Sequence, residues 1–123
     1  MNAPITLATL HLASDQEVFD HISRHLLHQN EQSHEDGECL YHSSNGLKCA
    51  AGCLISDEEY FHLAMHKEED QEWSTLVYKG TVPPQHLELI SALQDVHDAS
   101  IPQHWVQRLH GVAEKFNLEF KPS

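Results

Sequence analysis

Apolar positions recur along most of the chain at the spacing of one helix face, about 100° per residue. Val18, Phe19, Ile22 and Leu26 share one arc, and His21, His25 and His28 gather on the arc beside it. Ser14-Asp15-Gln16-Glu17 supplies a capping box, so the pattern predicts a first helix over 14–29, preceded by an N-terminal extension, 1–13. The stretch "NEQSHEDG" at 30–37 is polar and ends in Asp-Gly, a loop signal. "ECLYHSS" and "LKCAA" flank Asn45-Gly46, a pairing that tolerates positive φ and favours a tight reversal, so a hairpin is expected over 38–55. Its register has two solutions. A two-residue turn sets His42 opposite Cys49, and a three-residue loop with Gly46 as the bulge sets Tyr41 opposite Cys49.

Ser56-Asp57-Glu58-Glu59 is a second capping box. The helix it predicts, 56–66, has Tyr60, Phe61 and Ala64 on its apolar face and His62 and His66 on its polar side. After the acidic loop "KEEDQE", "WSTLVYKG" is rich in β-formers and closes on glycine, which reads as a short strand over 73–79 or a buried extended segment. Pro83-Pro84 suits the first turn of a helix over 84–98, with Leu87, Leu89, Ile90, Leu93 and Val96 on a wide apolar arc and His97 buried in its middle. Ser100-Ile101-Pro102-Gln103 reads as a third capping box. It opens a helix over 101–117 whose stripe is Trp105, Leu109, Val112, Ala113 and Phe116, with Asn117 as its stop. The expected architecture is α+β: about four helices packed on a small antiparallel hairpin or three-stranded element.

Composition narrows the function classes. At 123 residues and 40% hydrophobic, the chain suits one globular domain. Seven Lys and Arg against nineteen Asp and Glu give a formal charge of −12, which repels phosphate backbones and disfavours nucleic acid. No apolar run approaches the roughly 20 residues that span a bilayer, and the start of the chain lacks the basic segment of a signal peptide, so no membrane association and a cytoplasmic location are expected. Three cysteines, an odd number in a reducing compartment, are expected as thiols or metal ligands.

Several motifs together resemble a family of small uncharacterised proteins of bacteria and their phages and prophages. The matching positions are Cys39, Tyr41, Gly46, Lys48, Cys49, Ala50, Gly52, Cys53, Leu54, Ile55 and Asp57, then Leu93, Gln94, His97, Asp98 and Trp105. Ser44 and Ser56 depart from it where prolines are common. The resemblance implies no mechanism.

Four chemistries deserve weighing. Cys49-x₃-Cys53 followed by His62-x₃-His66 has the outline of a two-cysteine, two-histidine zinc site, although its eight-residue gap is shorter than the usual roughly twelve. Cys39, Cys49, Cys53 and His42 form the alternative zinc set. Cys49 or Cys53 as nucleophile, with His97 as base and Asp98 as its orienter, would supply a thiol triad, but neighbouring helical residues diverge by about 100°, which places Asp98 poorly to hold the His97 ring. The row His21, His25 and His28 has the i, i+4 spacing that can hold a divalent cation. Against these stands a simpler account: cysteines buried as small hydrophobes among Ala50, Ala51 and Gly52. A binding module without chemistry would use Tyr41, Lys48, Asp57 and Glu58, Lys48 being the one Lys or Arg between residues 25 and 66. The reading reached is a non-enzymatic binding or protein-interaction module with no cofactor, acting on an unknown protein or small molecule, with a homo-oligomer among the assemblies open to it.

Overall fold

The computed structural model describes residues 5–35 and 38–121; the side chains at 35, 38 and 39 lie outside what it describes. Five α-helices carry the architecture: α1 Asp15–Gln29, α2 Asp57–Met65, α3 Trp73–Tyr78, α4 Leu87–Ala99 and α5 Trp105–Lys115. Helices α1, α4 and α5 pack on one another, α3 lies along α4, and the long segment between α1 and α2 folds back over the α1–α4 pair. The core is built from Phe19, Ile22, Leu26, Leu54, Leu89, Ile90, Leu93, Trp105 and Leu109, all 0–1% exposed.

Local signals set two helix starts. Ser14 accepts from the Glu17 amide while Glu17 takes the Ser14 amide, and Ser56 and Glu59 repeat the arrangement at α2. Glu59 reaches further, accepting from the amides of Leu7 and Ala8, so the segment before α1 is fastened to α2 and its Leu10 is fully buried.

The chain is helical, which corrects the α+β expectation. Among the described residues the regular pairing is two residues long, His34–Glu35 against Glu38–Cys39, too little to form a layer. The expected hairpin over 38–55 is absent. The chain does reverse at Ser43–Leu47, with Gly46 at φ +88° and the register that places Tyr41 opposite Cys49, but the pairing stops at a single bridge, His42 with Lys48. It stops because the Cys49 carbonyl, which would accept from the Tyr41 amide in a continuing ladder, accepts from the Cys53 amide at 3.1 Å instead. On the outward edge of the bridge the Lys48 amide donates to Gln29 Oε1 at 2.9 Å, and the Lys48 carbonyl accepts from Gln29 Nε2 at 2.8 Å and His25 Nε2 at 2.9 Å. Beyond Cys49 the small residues curl into a 3₁₀ turn, Gly52–Leu54.

The expected strand over 73–79 is α3 instead. Its β-forming composition yields to burial of Trp73 and Leu76 at i, i+3, and Gly80 at φ +78° ends it. Pro83-Pro84 lies ahead of α4 rather than in its first turn. The helix waits for His86, held at φ 64° by hydrogen bonds of its ring to Asp15 and to the Ala13 carbonyl. The third capping box does not form, because the Ser100 hydroxyl donates backwards to Val96 O at 2.6 Å. A 3₁₀ turn, Pro102–His104, leads into α5 in its place, and Asn117 at φ 56° terminates the helix as expected.

Candidate functional site

Part of the polar set that the sequence offers for chemistry, His97 and Asp98 with the Cys49–Cys53 stretch, meets at the seam between the 31–56 loop and α4. His97 is fully buried, its ring stacked on Trp105 with centroids 5.7 Å apart. The Ser33 amide donates to His97 Nε2 at 2.9 Å. That nitrogen therefore carries no proton, and Nδ1–H donates to Asp98 Oδ1 at 2.7 Å. Gln94 Nε2 donates to the same Asp98 oxygen at 2.8 Å, while Gln94 Oε1 accepts from the Ala51 amide at 2.9 Å. One face of α4 thus grips the loop at Ser33 and at Ala51.

This corrects the expectation that Asp98 is poorly placed to hold the His97 ring. The Cα–Cβ directions do diverge, but Nδ1 sits near the imidazole's own backbone, within reach of the next carboxylate. It also fixes what His97 can do. As a base for a cysteine it would need the Nε2 lone pair that the Ser33 amide occupies.

From α1 the same loop is held by imidazoles. His21 Nε2–H donates to Cys53 O at 3.1 Å and His25 Nε2–H to Lys48 O, so two members of the histidine row face loop carbonyls. His42 Nε2–H is shared between Gly52 O at 3.0 Å and Ile55 O at 2.9 Å, under the stacked ring of Tyr60. Burial pushes the pKa of both His25 and His42 below the ordinary histidine range.

Cys49 is 1% exposed and its Sγ accepts from the Gly52 amide at 3.3 Å. The Cys53 thiol, half-buried, donates to Ala50 O at 3.0 Å, and burial pushes its pKa up, away from the thiolate a nucleophile or ligand must be. The Cys39 side chain lies outside the described residues. Among the described residues no three His, Cys, Asp or Glu side chains group as a metal ion would need. His62 and His66 stack on each other along α2, 6.0 Å between centroids.

The residues expected to bind a partner separate. Lys48 Nζ lies 3.8 Å from Asp57 Oδ1, with the Asp57 carboxylate exposed, and Glu58 is exposed on the same turn. Tyr41 is 7% exposed and turned inward, its hydroxyl donating to Gln71 O at 2.6 Å and its ring set edge-on to Trp73. Burial raises the Tyr41 pKa, keeping the hydroxyl a donor.

Tyr41 and Cys49 line a cleft of about 310 Å³ whose other walls are the 69–74 turn and α4. Glu69, Asp70, Glu72, Asp95 and Asp98 face it, and among the described residues no Lys or Arg does. Two polar atoms of its lining residues are buried without a hydrogen-bond partner among the described residues, Trp73 Nε1 and Glu69 Oε2. Sequence reasoning missed both, having placed Trp73 in a strand and Glu69 in a solvated loop. The larger cleft beside α1, about 660 Å³, mixes Arg24 and Lys121 with Asp20 and Glu119, and among the described residues no orphaned atom belongs to its lining.

Comparison with family profiles, curated proteins and solved structures returns no match. The chemistry of the site therefore rests on its own geometry. No helix among the described residues is long and apolar enough to cross a membrane.

Proposed function

We propose that the chain is a non-enzymatic binding or protein-interaction module of a bacterial or phage-infected cytosol, and that its binding site is the acidic cleft between Tyr41, the 69–74 turn and α4. The observation that carries this reading is the pair of orphaned atoms. A buried indole N–H and a buried carboxylate oxygen without partners each cost about 1–3 kcal/mol, so native structures keep them rarely and a ligand that pairs them recovers that energy. His97 and Asp98, which suggested catalysis, support the same reading, since with Gln94 they are engaged in holding the loop that forms one wall. The site shifts from Lys48, Asp57 and Glu58 to the cleft because neither those side chains nor their ion pair lines it.

The test is an amide and indole shift map of the isotope-labelled full chain against a mixed set of cationic, neutral and anionic fragments. Binders should move the Trp73 indole N–H together with amides in 71–74 and 91–98. If every binder moves only the Lys48–Asp57 face, or none moves the cleft, the reading fails.

A further inference from the structure

We infer that the cleft receives an arginine side chain displayed on an extended segment of a partner protein. The inference rests on the cleft being the binding site, and it names what enters.

Charge selects the class first. Five carboxylates around a small concavity with no facing Lys or Arg repel one another, and a chain of net charge −12 offers little relief elsewhere. A cationic group entering the cleft removes that repulsion, and an anion is excluded by it. A bare metal ion could not accept from the orphaned Trp73 N–H, so the cation is an organic one.

The orphaned atoms then divide the organic cations. Glu69 Oε2 needs a donor, which any ammonium or guanidinium supplies. Trp73 is 3% exposed and its Nε1–H needs an acceptor, which no bare amine or guanidine carries. A peptide satisfies both, because the carbonyls of its backbone lie beside its charged side chain. Guanidinium fits better than ammonium. The carboxylates stand on two walls, Glu69 and Glu72 on the turn and Asp95 on α4, and a planar fork of five donors reaches several at once where a lysine acts as one hydrated point. The volume, about 310 Å³, sits at the small end of ligand pockets and suits one side chain with its flanking peptide rather than a folded element.

The test titrates acetyl-Gly-Arg-Gly-amide into the labelled full chain, with three comparators: the citrulline peptide, which keeps shape and loses charge; agmatine, which keeps the guanidinium and lacks the carbonyls; and the lysine peptide. The arginine peptide should bind at least about tenfold tighter than the citrulline peptide and several-fold tighter than agmatine or the lysine peptide, moving the Trp73 indole proton downfield. Glu69→Gln should weaken it about tenfold at an unchanged melting temperature, and Trp73→Phe should bring it to the level of agmatine. Should Trp73→Phe fail to fold, the agmatine comparison decides the same point. Equal binding of the citrulline peptide overturns the proposal, as does equal binding of agmatine. Neutral or anionic fragments that move the cleft while the arginine peptide does not would overturn this inference and leave the binding module standing; no probe moving the cleft would overturn both.

Discussion

Gly52→Ala is the sharpest test of how the loop is built. A Cβ placed on Gly52 would sit 1.9 Å from the Tyr41 carbonyl oxygen, and 2.7 and 2.9 Å from the carbonyl carbon and Cα behind it. All three are backbone atoms, so no rotamer relieves the contact. Real Cβ contacts do not fall below 3.0 Å, so the two backbones must part by 3.0 minus 1.9, about 1.1 Å. That displacement acts on hydrogen bonds which fasten the same two strands of chain: Cys49 N–H to Tyr41 O at 3.3 Å, Gly52 N–H to Cys49 Sγ at 3.3 Å and His42 to Gly52 O at 3.0 Å. Two lost bonds at about 1 kcal/mol each, with about 1–3 kcal/mol of overpacking, give roughly 3–5 kcal/mol. An unfolding entropy of about 2.1 cal/mol/K per residue over 123 residues turns this into a melting temperature lower by about 12–20 °C. Calorimetry on the parent and variant reads it directly. The control is Gly111→Ala, in α5, where a Cβ meets nothing within 4 Å; it should raise stability by roughly 0.5–1 kcal/mol. If Gly52→Ala melts within about 4 °C of the parent, the close crossing of the Tyr41 and Gly52 backbones is wrong.

The remaining tests address the polar seam and the thiols. His97→Phe keeps a ring against Trp105 but orphans the Ser33 amide and removes a partner from Asp98, so urea unfolding should show a loss of about 2–4 kcal/mol; a loss under 1 kcal/mol would refute the clamp. Because burial lowers the pKa of His25 and His42 in the fold, the unfolded chain binds more protons below about pH 6.5. The stability of the neutral rings should be present above that value and decline as pH falls through the lower folded values, with a smaller decline in His25→Gln; urea midpoints between pH 8 and 5 that stay flat would contradict it. Cys49 and Cys53 should resist iodoacetamide in the native chain and react after denaturation, as read by mass spectrometry, whereas fast native alkylation of Cys53 would revive the thiol-enzyme reading. Gln94→Ala should lower both stability and affinity for the arginine peptide, because Gln94 holds Ala51 and also lines the cleft; an effect on neither would separate the loop from the site.

What the sequence made legible was local. Both capping boxes at Ser14 and Ser56 lie within four consecutive residues, and each formed; the burial of His97 followed from its place on one helical arc. What it hid was settled at long range. Asn45-Gly46 does mark a reversal, but the Cys49 carbonyl that would extend a ladder turns to the Cys53 amide, while Gln29 and His25 hold the outward groups of Lys48 to α1 from 19 and 23 residues away. Trp73 to Tyr78 has strand composition, and only packing along α4 made helical spacing the better burial. Ser100 reads as a cap, yet its hydroxyl had a nearer acceptor in the helix it follows. The cleft draws on residues 41 and 49, 69 to 74, and 91 to 98, which no window of the sequence joins.

The placement of these groups explains why a loop of more than twenty residues can serve as a binding wall. A loop without a ladder exposes amides and carbonyls that must be paired or solvated, and flexible walls add an ordering cost to every ligand. Here Ser33, Lys48, Ala51, Gly52, Cys53 and Ile55 each have a backbone group paired by a side chain of α1, of α4 or of His42. The clamp thus orders the wall before any ligand arrives. Three polar side chains of the cleft are used in holding its walls: the Tyr41 hydroxyl on Gln71, Gln94 on Ala51, one Asp98 oxygen on His97. Trp73 and Glu69 stand in the same walls and are left out of that pairing. One donor and one acceptor left unpaired four residues apart, on residues that line an acidic opening, are what the proposed cationic peptide would pair.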